Sequence, residues 1–157
     1  MLLEVRAASG YRPADKEEVL LAAARYAVED APREKVSTPT RAVEALRRYF
    51  GALDREMFVV MWLDSRRAII DFDVISAGTV DSAVVPVREV AKKALERNAV
   101  SCLLAHNHPS GDVTPSPADE GITRRIKEAL GIFEISVIDH VVLGRDSAYS
   151  FAEHGLI

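Results

Sequence analysis

Val100-Ser101-Cys102-Leu103-Leu104-Ala105-His106-Asn107-His108-Pro109, continued by Ser110-Gly111-Asp112-Val113-Thr114-Pro115-Ser116-Pro117-Ala118-Asp119, is the stretch from which the fold is read. Residues 100 to 105 are almost wholly apolar, the mark of a strand covered on both faces. Cys102 lies inside that run and reads as core, where a thiol in apolar surroundings is inert. Residues 109 to 115 are rich in turn formers and let the chain double back. Ser116-Pro117-Ala118-Asp119 then reads as an N-cap, a proline at the first helical position and an acid in the first turn. It opens an amphipathic helix over 117–130.

Alternate residues of a strand or its extended exit point the same way, about 6.6 Å apart, so His106 and His108 can aim two imidazoles at one ion. Asn107 between them points away. Two neutral histidines, a carboxylate and a water make an open tetrahedral zinc site, the open position being what separates catalysis from structure. Asp119 is favoured as the third ligand, because a helix beginning at Ser116 can present its first turn to the strand end. Asp112 is the rival carboxylate, on the turn at Gly111. Helix capping alone also explains residues 116 to 119, and a lone His-x-His also fits solvated loop histidines. Spacing by itself leaves a metal role and a purely structural one both open.

Working outward, Ile135 to Leu143 reads as a further strand and Tyr149-Ser150-Phe151 as a short terminal piece. Upstream, Pro86 opens a helix with Val90, Ala91, Ala94 and Leu95 on one face, ending near Asn98. Phe58 to Leu63 and Ala68 to Ile75, joined by Asp64-Ser65-Arg66-Arg67, make a hairpin. The first fifty residues carry two helices: one over 14–30, with Val19, Leu20, Ala23, Ala24, Tyr26 and Ala27 at helical spacing, and one from Ser37-Thr38-Pro39 through Ala42, Leu46, Tyr49 and Phe50 to a stop at Gly51. Ala31-Pro32-Arg33-Glu34-Lys35 is the polar break between them. The order ββαβαβ predicts an α/β fold of the α+β type, a mixed β-sheet flanked by helices. Two units are expected: a helical N-terminal extension over 1–52 and the metal-binding domain over 53–157.

The 157 residues are 48% hydrophobic and 28% charged, near the average of a soluble globular domain. A formal charge of −4 gives no global attraction to phosphate backbones, so nucleic acid is a disfavoured partner. A single cysteine excludes an intrachain disulfide and any zinc site built from several thiolates. No run approaches the roughly 18 apolar residues of a membrane span, and Met1 to Arg6 lacks the pattern of a signal peptide, so no membrane partner and a cytoplasmic setting are expected.

His106-Asn107-His108-Pro109, with Ser116 seven positions beyond Pro109 and Asp119 three beyond Ser116, resembles the zinc signature of the JAB/MPN metalloenzymes, also called JAMM proteins. Leu104-Ala105-His106-Asn107-His108-Pro109-Ser110-Gly111 looks like the RadC group within that superfamily. Arg88-Glu89-Val90, Asp139-His140 and Ser150-Phe151-Ala152-Glu153 add to the likeness, which covers about residues 54 to 157. The resemblance implies a JAB/MPN, cytidine-deaminase-like core and one zinc ion per chain on His106, His108 and Asp119. It implies a glutamate at the start of the first hairpin strand as the base, and Glu56 stands there; Glu89 is the other candidate, inside a predicted helix. It also implies that Ser116 donates a hydrogen bond to the oxyanion, a role its hydroxyl cannot fully combine with capping. The helix-hairpin-helix signature of the full-length RadC arrangement is absent from residues 1 to 50.

His140, beside Asp139, reads as a packed, hydrogen-bonded histidine, with an outer partner or extra ligand as the alternative. His154 reads as exposed, and Arg47, Arg48, Lys92, Lys93 and Arg97 as solvated helix faces. The resulting expectation is a zinc-dependent hydrolase, metallopeptidase- or isopeptidase-like, acting on a protein or peptide substrate. A DNA-repair accessory protein or metal-dependent nuclease is the second reading, and a non-catalytic MPN scaffold the third. Exposed sheet edges would pair with an extended substrate or with a second copy, giving a homo-oligomer.

Overall fold

A computed structural model describes residues 4–7, 10–30, 34–50, 55–78 and 85–157. The elements run β1 (Glu4–Ala7), β2 (Gly10–Pro13), α1 (Lys16–Asp30), α2 (Pro39–Phe50), β3 (Glu56–Leu63), β4 (Ile69–Gly78), α3 (Val87–Glu96), β5 (Ser101–Asn107), α4 (Pro117–Gly131), β6 (Ser136–Leu143) and β7 (Ala148–Ser150). The main sheet has five strands in the order β4-β3-β5-β6-β7, antiparallel except for the parallel pair β5–β6. This is the mixed sheet flanked by helices that the ββαβαβ pattern predicts.

The two-residue period of a strand sorts the core into two layers. On β3, Met57, Val59, Met61 and Leu63 pack with Ala42, Ala45, Leu46 and Phe50 of α2 on one face. Phe58, Val60 and Trp62 pack on the other face with Val90 and Ala94 of α3 and Ile126 and Leu130 of α4. β5 repeats the alternation: Leu103 and Ala105 face α2, while Cys102 and Leu104 face α3 and α4. His106 and Glu56 therefore lie on the α4 side, in step with Leu104 and Phe58.

Because α2 is buried in the same core as the sheet, it is a structural layer of the domain. Its Arg47 donates to the carbonyls of Gly144, Arg145 and Ser147, fastening the β6–β7 turn, so this side chain is not the solvated one expected. Arg97 likewise is engaged, bridging Asp71 and Asp73, while Trp62 Nε1 donates to Asp73. On α1, Ala23 and Tyr26 are exposed, so the apolar spacing of that helix does not mark a buried stripe throughout. Asp15 and Glu18 cap its N-terminus reciprocally, and Arg12 pairs with Glu18 at 2.7 Å.

The β1–β2 hairpin was not expected from the sequence. Its second strand is exposed along its whole length and includes Pro13, so neither apolar alternation nor burial marks it. Residues 31–33 of the expected break at 31–35, the stop at Gly51 and the boundary between 52 and 53 lie outside the described residues, while Lys35 forms an isolated bridge with Ala68. Among the described residues, no helix is long and apolar enough to cross a membrane.

Candidate metal centre

β5 delivers His106 and Asn107 as its last two residues, and the chain then leaves the ladder with β3. His108 N–H instead donates to Leu143 at the end of β6 (2.8 Å), and this change of direction folds the His108 ring over His106. The two Nε2 atoms lie 3.0 Å apart, far closer than side chains two apart on a straight strand. From the opposite side, α4 brings Asp119 Oδ1 to 3.4 Å from His106 Nε2. Glu56, the first residue of β3, completes the cluster: a carboxylate oxygen of Glu56 and one nitrogen each of His106 and His108 all lie within 4.8 Å of one another.

Asp119 divides its carboxylate between two tasks. Oδ2 accepts from Ser116 N–H and from Ser116 Oγ–H, both at 2.7 Å, while Ser116 Oγ accepts from Asp119 N–H at 3.2 Å, closing a capping box with Pro117 inside the helix start. Oδ1 is left to face His106. Capping and the metal role are thus compatible, because they use different oxygens. Burial works against the Asp119 charge, but the His106 imidazole beside it and the bonds from Ser116 outweigh it and hold the carboxyl well below the usual range.

His108 Nδ1 lies 2.6 Å from the carbonyl of Asp112. A carbonyl can only accept, so Nδ1 carries the proton and the neutral ring presents a bare Nε2 to the cluster. The His106 Nε2–His108 Nε2 and His106 Nε2–Asp119 Oδ1 separations of 3.0 and 3.4 Å match the about 3.3 Å between neighbouring tetrahedral zinc ligands with bonds of about 2.05 Å, while it is Glu56 whose carboxylate lies within 4.8 Å of both histidines. His106, His108 and Asp119 are the residues that would hold the ion, with Glu56 beside it.

The model of the RadC-like JAB domain matches residues 36–156, which is most of the chain. A UPF0758 protein of Leptothrix cholodnii is 40% identical over 157 residues, covering 98% of this chain and 71% of its own. The UPF0758 protein YkfG of Escherichia coli K12 is 46% identical over 121 residues, 76% of this chain and 77% of its own. A UPF0758 protein of Vibrio cholerae is 44% identical over 131 residues, 83% and 80%. The chain belongs to the RadC-like JAB domain family. The match begins at residue 36 and so includes α2, which packs in the same core as the sheet.

In this RadC-like JAB domain the rival residues lie elsewhere. The Asp112 carboxylate accepts from Thr114 N–H at 2.9 Å, and only its backbone carbonyl serves the site. Glu89 stands in the first turn of α3 and is not part of the Glu56–His106–His108 group. His154 is exposed and stacks on Tyr149 at 3.9 Å. Cys102 is fully buried, and burial drives its thiol far above its ordinary pKa.

Two residues matter more than the sequence reading foresaw. Asn107 does point away from the ion, but its amide lands under Glu56: Oδ1 accepts from Met57 N–H and Nδ2 donates to the Arg55 carbonyl, each at 2.8 Å. The side chain thereby continues the β3–β5 ladder where the backbone has left it, gripping the peptides on both sides of Glu56. His140 is fully buried between Phe58 and Phe151, with ring centroids at 5.5 and 4.7 Å, and burial holds its pKa well below the ordinary value. Its Nε2 lies 2.8 Å from His106 Nδ1. An Asn between two histidines and a histidine after an aspartate were the visible signals, but neither names the partner.

Proposed function

We propose that this RadC-like JAB domain is a zinc-dependent hydrolase that cleaves an amide bond, peptide or isopeptide, in a protein or peptide substrate. The observation that carries the reading is the cluster of Glu56, His106 and His108, whose ligand atoms lie within 4.8 Å of one another, with Asp119 Oδ1 3.4 Å from His106 Nε2. Zinc, when bound, supplies a Lewis acid and lowers the pKa of a coordinated water from about 15.7 toward about 7.

Each residue of the chain has a separable task. His106, His108 and Asp119 hold the ion by neutral nitrogens and a carboxylate kept ionised by its partners. Glu56 takes a proton from the attacking water and returns it to the leaving nitrogen; Asn107 fixes the backbone on either side of it. Ser116 donates its proton to Asp119 Oδ2, so it serves an oxyanion only when its hydroxyl rotates away from that oxygen.

The test is hydrolysis by the zinc-loaded chain of fluorogenic linear peptides and of lysine-linked isopeptides, alongside Glu56→Gln. Cleavage that falls by about 10²–10⁴ in Glu56→Gln at unchanged zinc content is expected. Undiminished cleavage in Glu56→Gln contradicts the base assignment, and a fully zinc-loaded chain inert toward both substrate classes contradicts the hydrolase reading.

A further inference from the structure

Four hydrogen-bonding groups run in a line from α4 to the metal cluster, and one of them fixes the direction of all the rest. Thr123 Oγ1 lies 2.5 Å from the Asp119 carbonyl and 2.6 Å from His140 Nδ1. The carbonyl has no proton to give, and two oxygens that close require one between them, so the Thr123 hydroxyl donates to Asp119. Its single proton being committed, Thr123 Oγ1 can only accept from His140, and His140 carries its proton on Nδ1. The neutral ring then offers a bare Nε2 to His106 Nδ1, 2.8 Å away, which must be the donor. His106 in turn presents a bare Nε2 to the bare Nε2 of His108, 3.0 Å away, and to Asp119 Oδ1 at 3.4 Å, a meeting of lone pairs that a cation relieves.

We propose that Thr123 and His140 are positioning residues, a one-way hydrogen-bond relay that sets His106 as its Nδ1–H tautomer and keeps its Nε2 lone pair turned into the cluster. The relay is enclosed: Thr123 and His140 are buried, and Phe58 stacks nearly parallel to the His106 ring with centroids 6.3 Å apart. All three side chains of the relay, Thr123, His140 and His106, are closed off from solvent, so the tautomer is a property of the fold. Histidine ligands ordinarily give their second N–H to a carboxylate or carbonyl. Here a third histidine intervenes, and the carbonyl at the far end belongs to Asp119, so the relay ties one ligand's ring to the helical turn that bears another. The tautomer rests on hydrogen bonding alone; its effect on metal affinity rests on the zinc reading above.

The test uses the full chain with ¹⁵N-labelled histidine, metal-free, with each ring's tautomer read from long-range ¹H–¹⁵N correlations. Zinc affinity is measured in parallel for wild type, Thr123→Val and Thr123→Ser. The relay predicts Nδ1–H for both His106 and His140 in wild type. Thr123→Val populates the Nε2–H form of His106 and weakens zinc about 10–100-fold, and Thr123→Ser, which restores the hydroxyl, reverses both effects. An Nε2–H tautomer of His106 in wild type overturns the relay, as does a Thr123→Val variant unchanged in tautomer and affinity. Nδ1–H rings in a wild-type chain that takes up no zinc uphold the relay and count against the hydrolase reading.

Discussion

Asp119 and Asn107 each hold two bonds whose separation can be tested. In Asp119, one oxygen caps α4 and the other faces His106. Asp119→Asn keeps a cap acceptor but removes the anionic ligand, so α4 should fold normally, with the melting temperature of the metal-free chain close to wild type. Zinc affinity should drop by more than the ~10–100-fold that loss of an outer partner costs. Asp119→Ala keeps the Ser116 cap on the residue-119 N–H but loses the reciprocal bond from Ser116 N–H, at a further ~1 kcal/mol of stability by chemical denaturation. Asn107→Ala strands the Arg55 carbonyl and Met57 N–H, for about 1–3 kcal/mol each where no water replaces the bond. Zinc should stay bound while turnover falls, the reverse of the Asp119→Asn pattern. His106, His108 and Asp119 stood out as candidates in the sequence because ligand chemistry restricts residue type and spacing, whereas Glu56 was pointed to only by the family resemblance. The bonds of Asn107 were not, because their partners stand about fifty positions away and only strand pairing brings them close.

Between elements, the loop carrying His108 is held by its neighbours. Gly144, at the β6–β7 turn, sits so near this loop that a Cβ there would meet the Gly111 carbonyl at 2.7 Å and Val113 Cγ1 at 2.8 Å. Arg47 of α2 grips the same turn through three carbonyls. Gly144→Ala must therefore push the loop outward and carry His108 with it, and the expected outcome is weaker zinc binding together with a lower melting temperature. Arg47→Met should loosen the turn and weaken zinc less. A Gly144→Ala chain with wild-type affinity would show that the loop is not positioned by this contact. Strands β3 to β6 and helices α2 to α4 could be read from the sequence because burial on one face or both imposes a period. The role of α2 as a core layer and the exposed β1–β2 hairpin could not, since the former depends on tertiary packing and the latter carries no apolar pattern.

At the scale of the whole molecule, the sheet covered on both faces buries two described carboxylates, and both are bonded: Asp73 by Arg97 and Trp62, and Asp139 by Ser150 and the backbone of His140 and Ala152. Burial opposes the Asp73 carboxylate, but Arg97 and Trp62 bond it and lower its pKa. A carboxyl depressed in the folded state contributes stability above its unfolded pKa, about 3.9, and that contribution disappears as pH falls through the folded value. The metal-free wild type should accordingly lose melting temperature more steeply below about pH 4 than Asp73→Asn does; parallel curves would show that the pair carries no pH-linked stability. The fold class followed from the order of elements, whereas the account of function depends on the site, since folds host many chemistries.

The central claim is that His106, His108 and Asp119 are gathered to hold one metal ion. Metal content per chain, by mass spectrometry on protein prepared without chelators or a histidine tag, tests it most directly. About one zinc per chain in wild type and in Glu56→Gln and Asp112→Ala, lost in His106→Ala and Asp119→Ala, is the predicted result. A wild-type chain that stays metal-free after zinc is supplied would contradict it.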